Sequence, residues 1–216
     1  LLAMLYNAGL DTALLAALSA LSSLVPRIGV VAFSLGANLA LLMLGRRREH
    51  LAPALGGVAA VCPPLDLSAC ADALEARGNG PYQHYFMQML AESYRRRHRA
   101  RPDLFAEGRE RGLRTVREYD DRITAPFGGY ESAAQYYERA SAGPWLASVN
   151  RPALVLAAAY DPTIPAHSVA CWPLSPSVHR EIAPTGGHVG FVGRSQAPGW
   201  FWAPDRALDF LEASAS

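Results

Sequence analysis

One serine of the sequence lies where a serine can act as a nucleophile. Ser34 follows an apolar run and precedes a helical pattern, and Gly36 comes two positions later. A serine hydroxyl becomes a good nucleophile when a neighbouring base takes its proton and nearby donors stabilise the oxyanion that forms. A sharp turn from strand to helix serves both needs, because it lifts the hydroxyl above the sheet and directs the N–H of Leu35 at the oxyanion. The alternative is a structural serine at a tight turn.

The segment around this serine departs at one position from the usual nucleophile motif, G-x-S-x-G. The sequence is Ala32-Phe33-Ser34-Leu35-Gly36, so the first small residue carries an extra methyl group. Gly36 keeps the second small residue, which such a turn uses for close packing. The motif alone leaves both interpretations of the serine open, and its place between a strand and a helix favours the nucleophile.

A base and an orienting acid are expected after the nucleophile, in the order serine, acid, histidine. Asp161 follows an apolar run in "YDPTIP", and His188 follows a later run in "TGGHVGF". Both positions are carboxyl ends of predicted strands, where open α/β sheets assemble their sites. Each residue also has a structural interpretation, since aspartate before proline forms turns and a histidine beside glycines fits an exposed loop. Asp205 and Asp209 come after the histidine and violate the expected order.

Four runs of residues predict the strands that position these side chains. The first three are apolar almost throughout, which is typical of strands buried on both faces of a parallel sheet. The runs span residues 27–33, 56–67, 151–162 and 178–184, and the last is more polar and is predicted to be an edge strand. Helical patterns cover residues 36–48 and 204–214. This alternation predicts an α/β fold with a mainly parallel sheet flanked by helices.

A long segment without a strand pattern separates the second and third predicted strands. Residues 68–150 have helical periodicity and several aromatic side chains. Because an ordinary crossover is much shorter, we predict a helical, lid-like insertion within a single domain. Its basic stretches, "RRRHRAR" and "EGRERGLRTVRE", are interpreted as a solvated helical face rather than a nucleic-acid surface, since glutamates are interspersed with the arginines. The histidines that follow no predicted strand are interpreted as surface or lid residues: His50, His84, His98, His167 and His179.

The composition limits the classes of protein and partner. The chain has 216 residues, of which 50% are apolar, and its formal net charge is +1. This length supports one substantial core, and the charge indicates no polyanionic partner such as nucleic acid. Cys62, Cys70 and Cys171 match neither zinc nor redox spacings, and an odd number of cysteines argues against a disulfide framework. We therefore expect a cytoplasmic location and no metal or organic cofactor.

The apolar character of the first 25 residues raises the question of a signal peptide or membrane anchor. Asn7 and Asp11 interrupt the run, and the uncharged stretch over residues 12–25 is shorter than the roughly 20 residues of a membrane span. Apolar residues at helical spacing behind an Asp11-Thr12 cap predict a packed amphipathic helix instead. The apolar face of this helix comprises Leu14, Leu18, Leu21 and Val25. No stable membrane span is expected.

Several segments of the chain together resemble one family. The turn "FSLGANLAL", the insertion segments "DLSACADAL", "YQHYF" and "DDRITAPFGGYESAAQYYERAS", and the terminal "GGHVGFV" are similar to the YheT-like, or EMB8-like, branch of the α/β-hydrolase superfamily. The resemblance covers nearly the whole chain and implies the α/β-hydrolase fold. By position it implies Ser34 as nucleophile, Asp161 as the acid, and His188 as base and proton donor. The family has paired aspartates after the third strand; here Tyr160 replaces the first, and Asp161 keeps the usual spacing to Pro165.

The beginning of the chain differs from the family. Family members start with further strands and a loop of the H-G-x-x-G kind, which supplies a second oxyanion donor, whereas "LYNAGLDTALLAAL" resembles the segment just before the nucleophile strand. We therefore expect residues 1–216 to be an N-terminally truncated α/β-hydrolase domain. The family places the nucleophile strand in the middle of its sheet, so truncation would leave an apolar edge of "RIGVVAF" unpaired. The chain on its own is then expected to be poorly soluble.

The residues and the resemblance together predict a serine hydrolase of the carboxylesterase type. A small-molecule ester with an apolar acyl group would be hydrolysed through an acyl-enzyme on Ser34, with the N–H of Leu35 binding the oxyanion. Loss of one oxyanion donor costs about 2.7–4 kcal/mol, so the truncated chain is expected to be weakly active or inactive. Two alternatives stay open: a non-catalytic scaffold or binding module, and an acyltransferase that uses the same three residues. The sequence does not indicate the oligomeric state.

Overall fold

A parallel sheet lies at the centre of the fold. The structure, a computed structural model, describes residues 5–191 and 202–214. In this part of the chain the sheet has four strands, which are adjacent in chain order and pair in parallel. They are β1 (Ile28–Phe33), β2 (Leu55–Val61), β3 (Ala153–Ala158) and β4 (Val178–Ala183). The carboxyl ends of all four strands therefore meet at the same edge of the sheet, and the predicted α/β class is confirmed.

Helices flank the sheet and fill the long segment between β2 and β3. The α-helices of the described residues are α1 (Asp11–Ser22), α2 (Ser34–Arg46), α3 (Leu67–Glu75), α4 (Gly80–Ala100), α5 (Val116–Tyr119), α6 (Ala125–Gly128), α7 (Ala133–Ala140), α8 (Ala166–Ala170) and α9 (Trp202–Ala213). A π-helix spans Asp120–Thr124 and a 3₁₀-helix spans Gly143–Ser148. The helical insertion predicted between the second and third strands is thus present. Its predicted role as a lid stays a prediction.

The second strand is shorter than the sequence predicts. β2 ends just before Cys62, whose φ is +49° and does not fit a strand. Pro63 and Pro64 follow, and proline has no N–H to donate to a neighbouring strand. Asp66 then caps α3 by accepting a hydrogen bond from the N–H of Ala69. The segment predicted as the end of a strand is therefore a turn and the start of a helix.

The hydrophobic core is built on the central strands and α2. Every residue of β3 is buried, and so is nearly every residue of β2. The side chains of α2 are buried on all sides of the helix, because α2 contacts the sheet, α1 and the 3₁₀-helix. An apolar helix without a polar face is typical of such a fully packed position.

The first strand is more exposed than predicted. β1 pairs with β2 and has no second neighbour among the described residues, so it forms one edge of the described sheet, as β4 forms the other. Its residues are half-buried or exposed rather than buried on both faces, and Phe33 is 43% exposed. The edge position predicted for the fourth strand is confirmed within this sheet. The predicted low solubility of the isolated chain stays a prediction, and a monodisperse monomer with cooperative melting would contradict it.

The helix near the start of the chain forms, but with a smaller packed face than predicted. Asp11 lies in the first turn of α1 rather than capping it, and its carboxylate accepts a hydrogen bond from Nε of Arg47 at 2.7 Å. Leu18 is buried, whereas Leu21 is exposed and Val25 lies beyond the end of the helix. The first four residues of the predicted apolar segment lie outside the described residues. None of the described helices combines the length and the hydropathy that a bilayer span requires.

The basic stretches of the insertion pair with glutamates. On α4, Arg96 and Arg99 contact Glu92, and Nε of Arg95 lies 3.1 Å from a carboxylate oxygen of Glu110. The second stretch was predicted to be a helical face, but residues 107–112 form turns, and the stretch becomes helical at Val116, where α5 begins. Its glycines explain the difference, because Gly108 and Gly112 adopt positive φ values that interrupt a helix.

Gly45 permits a close approach between α2 and the 3₁₀-helix, and this approach can be tested. A Cβ atom at Gly45 would lie 2.6 Å from Cβ and 2.7 Å from the carbonyl oxygen of Trp145. We expect Gly45→Ala to lower the free energy of unfolding by about 1–3 kcal/mol, measured by urea denaturation, because backbone must move to admit the methyl group. Gly80→Ala is the matched control, since a Cβ there would meet none of the described residues within 4 Å, its chain neighbours and own helix aside. Equal stability of the two variants would contradict the close approach.

Candidate active site

The turn between β1 and α2 places Ser34 at the carboxyl edge of the sheet. Phe33 still has extended backbone angles, with φ −124° and ψ 142°, whereas Ser34 is the first helical residue and has a φ of +50°. A positive φ is unfavourable for a residue with a Cβ, and such strain concentrates at functional sites. The close packing predicted at Gly36 is not observed within the described part of the chain, where a Cβ would meet just the hydroxyl of Tyr6 at 3.8 Å. The sharp turn from strand to helix is as predicted.

The structure brings together the three side chains that the sequence singles out. Nε2 of His188 lies 2.9 Å from Oγ of Ser34, and its Nδ1 lies 2.9 Å from Oδ2 of Asp161. An ionised carboxylate can only accept a hydrogen bond, so Nδ1 of His188 carries the proton. Nε2 is then free to accept a hydrogen bond from the hydroxyl of Ser34. We call this arrangement the Ser34–His188–Asp161 chain.

Asp161 is held by a tight turn after β3. Its Oδ1 accepts hydrogen bonds from N of Thr163 at 2.8 Å, from Oγ1 of Thr163 at 2.9 Å and from N of Ile164 at 3.0 Å. Burial by itself raises the pKa of Asp161, but the hydrogen bonds from His188 and Thr163 outweigh burial and hold the pKa below its usual value. The side chain of Asp161 is just 1% exposed. A buried carboxylate with both oxygens bonded is fixed in position and ionised at neutral pH.

A cysteine that the sequence analysis did not connect with the site supports the loop of His188. The Sγ of Cys62 accepts a hydrogen bond from N of Val189 at 3.5 Å and lies 3.9 Å from the carbonyl oxygen of Gly187. Cys62 follows β2 directly, whereas Asp161 comes three residues after β3, and no motif or spacing in the sequence links Cys62 to the loop of His188. Like Ser34, Cys62 and Val189 have positive φ values, of +49° and +52°.

Cys62 also belongs to the set of side chains in the described residues that could hold a metal ion. Ligand atoms of Cys62, Asp161 and His188 lie within 4.8 Å of one another. However, Nδ1 of His188 already donates to Asp161, and burial raises the pKa of the Cys62 thiol to about 12. A neutral thiol and an occupied ring nitrogen fit a hydrogen-bonded support better than a set of metal ligands.

A cavity of about 200 Å³ opens beside Ser34 and His188. Its wall is mostly apolar and comes mainly from the helices between β2 and β3. The apolar lining from these helices includes Leu67, Ala71, Leu74, Phe86, Leu90 and Val116. A polar exception is formed by Asp120, Thr124 and Tyr137, which the sequence analysis did not single out. The cavity can therefore hold an apolar group next to the serine hydroxyl.

The other residues considered from the sequence lie elsewhere. Tyr160, which replaces the first of the family's paired aspartates, is 78% exposed. His84 pairs with Gln88 on α4, and Nδ1 of His98 lies 2.7 Å from the carbonyl oxygen of Phe105. Val192, the last residue of the quoted "GGHVGFV" segment, lies outside the described residues. The oxyanion role of the Leu35 N–H stays a prediction, consistent with its place in the first turn of α2.

The positive φ of Ser34 predicts an unusual order of stability among its variants. Glycine adopts this conformation without steric conflict, whereas alanine keeps the Cβ and the strain. We expect Ser34→Gly to be more stable than Ser34→Ala by about 1 kcal/mol in urea denaturation. The reverse order, which helix propensity alone would give, would contradict the strain.

The lowered pKa of Asp161 predicts how the stability of Asp161→Asn depends on pH. Because the folded pKa lies below the unfolded value of 3.8, ionised Asp161 stabilises the folded state above about pH 4, and this contribution disappears as the pH falls through the folded pKa. We expect Asp161→Asn to lose about 1–3 kcal/mol at pH 7, the range for hydrogen bonds to a charged group, and much less at pH 3. Denaturant unfolding of both proteins at the two pH values measures this difference. A loss independent of pH would show that the charge does not contribute.

Two relatives of known sequence match most of the chain. YheT of Escherichia coli (strain K12), whose name carries an unproven esterase assignment, is 32% identical over 185 residues, which cover 84% of this chain and 54% of that protein. The embryogenesis-associated protein EMB8 of Picea glauca is 28% identical over 196 residues, which cover 86% of this chain and 42% of that protein. The chain thus spans about half the length of the curated relatives it matches. These matches confirm the resemblance to the YheT-like, or EMB8-like, branch.

A solved structure and a family model also match this chain, and they indicate the same fold as the relatives. The structure of the esterase Pf2001 from Pyrococcus furiosus superposes with a TM-score of 0.51 at 16% identity, covering 97% of this chain and 64% of that chain. At this low identity the likeness concerns the fold alone. The family described as "alpha/beta hydrolase fold" matches residues 83–194, just over half of the chain. On these grounds the chain belongs to the α/β-hydrolase fold family.

Proposed function

We propose that this chain represents a serine hydrolase that cleaves carboxylic esters through an acyl-enzyme. The observation that carries the proposal is the Ser34–His188–Asp161 chain, with both of its hydrogen bonds at 2.9 Å. Nucleophile, base and orienting acid are in hydrogen-bond contact before any substrate binds, which is the geometry that serine catalysis requires.

The first half of the reaction transfers the acyl group to the enzyme. Oγ of Ser34 attacks the ester carbonyl while Nε2 of His188 takes the serine proton. The N–H of Leu35, at the positive end of the α2 dipole, donates to the oxyanion that forms. When the tetrahedral intermediate collapses, Nε2 gives its proton to the departing alcohol, and the acyl group stays on Oγ. Asp161 stabilises the imidazolium throughout and does not itself take up the proton.

The second half releases the acid. A water molecule gives a proton to Nε2 of His188 and attacks the acyl carbon, and the bond from that carbon to Oγ of Ser34 breaks. The serine recovers its proton from Nε2, and the carboxylic acid leaves. An alcohol in place of water would give acyl transfer by the same steps, so the acyltransferase alternative uses the same site.

The cavity beside Ser34 supports an ester with an apolar acyl group. Its lining from α3, α4 and α5 is mostly apolar, and burying a methylene group contributes about 0.8 kcal/mol. The esterase assignment in the name of YheT points to the same substrate class. The chain spans about half of the length of that relative, so we propose the same activity for the whole natural protein.

A fluorophosphonate probe tests the proposed nucleophile directly. We expect the natural gene product to be labelled on Ser34 and to hydrolyse p-nitrophenyl esters, and Ser34→Ala to abolish labelling and lower kcat/KM by a factor of at least about 10⁴. Ser19→Ala is the matched control, because Ser19 is exposed and bonds within its own helix. Labelling that survives Ser34→Ala would exclude this nucleophile. A folded wild-type protein that neither labels nor turns over esters would favour the non-catalytic scaffold.

A further inference from the structure

The cavity beside Ser34 contains a buried carboxylate that the proposed mechanism does not use. Asp120 is 8% exposed and lines the same cavity as Ser34 and His188. Among the described residues it is the acidic side chain of a mostly apolar wall, and Thr124 and Tyr137 are polar residues of the same wall. A carboxylate is costly to bury in such a place unless it meets hydrogen-bond donors.

The protein satisfies part of the hydrogen-bonding capacity of Asp120. The hydroxyl of Tyr137 donates to Oδ2 at 2.8 Å, and the side chain of Thr124 lies close enough to lower the pKa of Asp120. An ionised carboxylate can accept about four hydrogen bonds, so acceptor capacity is left for a donor that enters the cavity. Arg117 lies near enough to act on Asp120 electrostatically, but its guanidinium hydrogen-bonds to Asp72.

The backbone at Asp120 is also unusual. Asp120 begins the π-helix, in which the N–H of Ala125 donates to the carbonyl oxygen of Asp120. The wider turn has Asp120 at its first position and Thr124 at its last, and both side chains line the cavity. Single π turns within helical segments are rare and occur frequently at functional sites.

The ionised form of Asp120 does not favour the folded state. Burial raises the pKa of Asp120 to about 6, although the side chains of Thr124 and Tyr137 and the charge of Arg117 act in the opposite direction. Because the folded pKa lies above the unfolded value, ionisation of Asp120 destabilises the folded state as the pH rises through this range. A buried group that weakens the fold and faces a cavity is typical of a binding site.

We propose that Asp120 is a specificity-determining residue, which with Thr124 and Tyr137 forms a subsite for a hydroxyl group on the acyl chain of the substrate. This inference rests on the proposed ester hydrolysis and narrows its substrate class to hydroxyacyl esters. A hydroxyl is favoured over an ammonium group, because Arg117 already supplies positive charge near Asp120 and a second cation would also lose its hydration.

The subsite can be tested by binding, without turnover. In the Ser34→Ala background, calorimetry gives Kd for methyl ω-hydroxyalkanoates with four to eight acyl carbons, each compared with the ester that ends in a methyl group instead of the hydroxyl. We expect at least one length at which the hydroxy ester binds about tenfold or more tightly, as a hydrogen bond to a charged group predicts. In water a terminal hydroxyl is better hydrated than a terminal methyl group. Tighter binding of the hydroxy ester therefore requires a hydrogen-bond partner in the cavity.

Variants assign the preference to Asp120. We expect Asp120→Leu to abolish it and Asp120→Asn, which keeps an acceptor, to retain part of it. Asp121→Asn is the matched control, since Asp121 is the next residue of the same π-helix and accepts from N of Ala133 instead. Asp120→Asn should also melt at an unchanged or higher temperature at pH 8, where a purely structural role predicts a fall. A preference that persists in Asp120→Leu, or the lack of a preference at every length, would overturn the subsite.

Turnover of a short ester separates this inference from the proposed function. The acetyl group of p-nitrophenyl acetate is short and carries no hydroxyl, so hydrolysis of this ester tests Ser34 without the subsite. The rate should be unchanged by Asp121→Asn. Ser34-dependent acetate hydrolysis without a hydroxyl preference at any chain length, or with a preference that persists in Asp120→Leu, would refute the subsite alone. A wild-type protein that binds hydroxy esters through Asp120 but does not hydrolyse the acetate would refute the esterase and keep the subsite.

Discussion

Parallel pairing of the strands is the constraint on which the site depends. Because β1 to β4 all run in the same direction, their carboxyl ends meet at one edge of the sheet. Each end is followed by a residue of the site: Ser34 after β1, Cys62 after β2, Asp161 after β3 and His188 after β4. A slip of one residue in any pair would move these side chains by about 3.3 Å, which exceeds the tolerance of a hydrogen bond. The buried β2 and β3 fix the register, so the precision of the site derives from the core.

Much of this arrangement could be predicted from the sequence, because its signals are local. Three apolar runs and a more polar fourth run identified the strands, and the order serine, acid, histidine identified the Ser34–His188–Asp161 chain. The errors lie where local signals compete or end: the prolines after Cys62 stop β2 early, and the apolar face of α1 extends in sequence beyond the helix. The exposure of β1 could not be predicted from its composition, since it depends on the neighbours that the strand has in the sheet.

Cys62 and Asp120 could not be recognised from sequence alone for a different reason. Cys62 acts on His188 through Val189, which is 127 residues away along the chain. Asp120 resembles any acidic residue of a solvated helix until the fold buries it beside Tyr137. In both cases the chemistry of the residue is set by partners from distant segments, and no periodicity or spacing reports those partners. The helices between β2 and β3 thus contribute polar side chains to the cavity as well as an apolar wall.

The three non-glycine residues of the described chain with positive φ, Ser34, Cys62 and Val189, all lie at the site. They belong to separate segments, so no local sequence preference supports their conformations, and tertiary packing alone must hold them. The strained turns therefore depend on the pairing of the strands that flank them. A local opening of an edge of the described sheet would relax a strained turn and remove the site, even while the core around β2 and β3 persists.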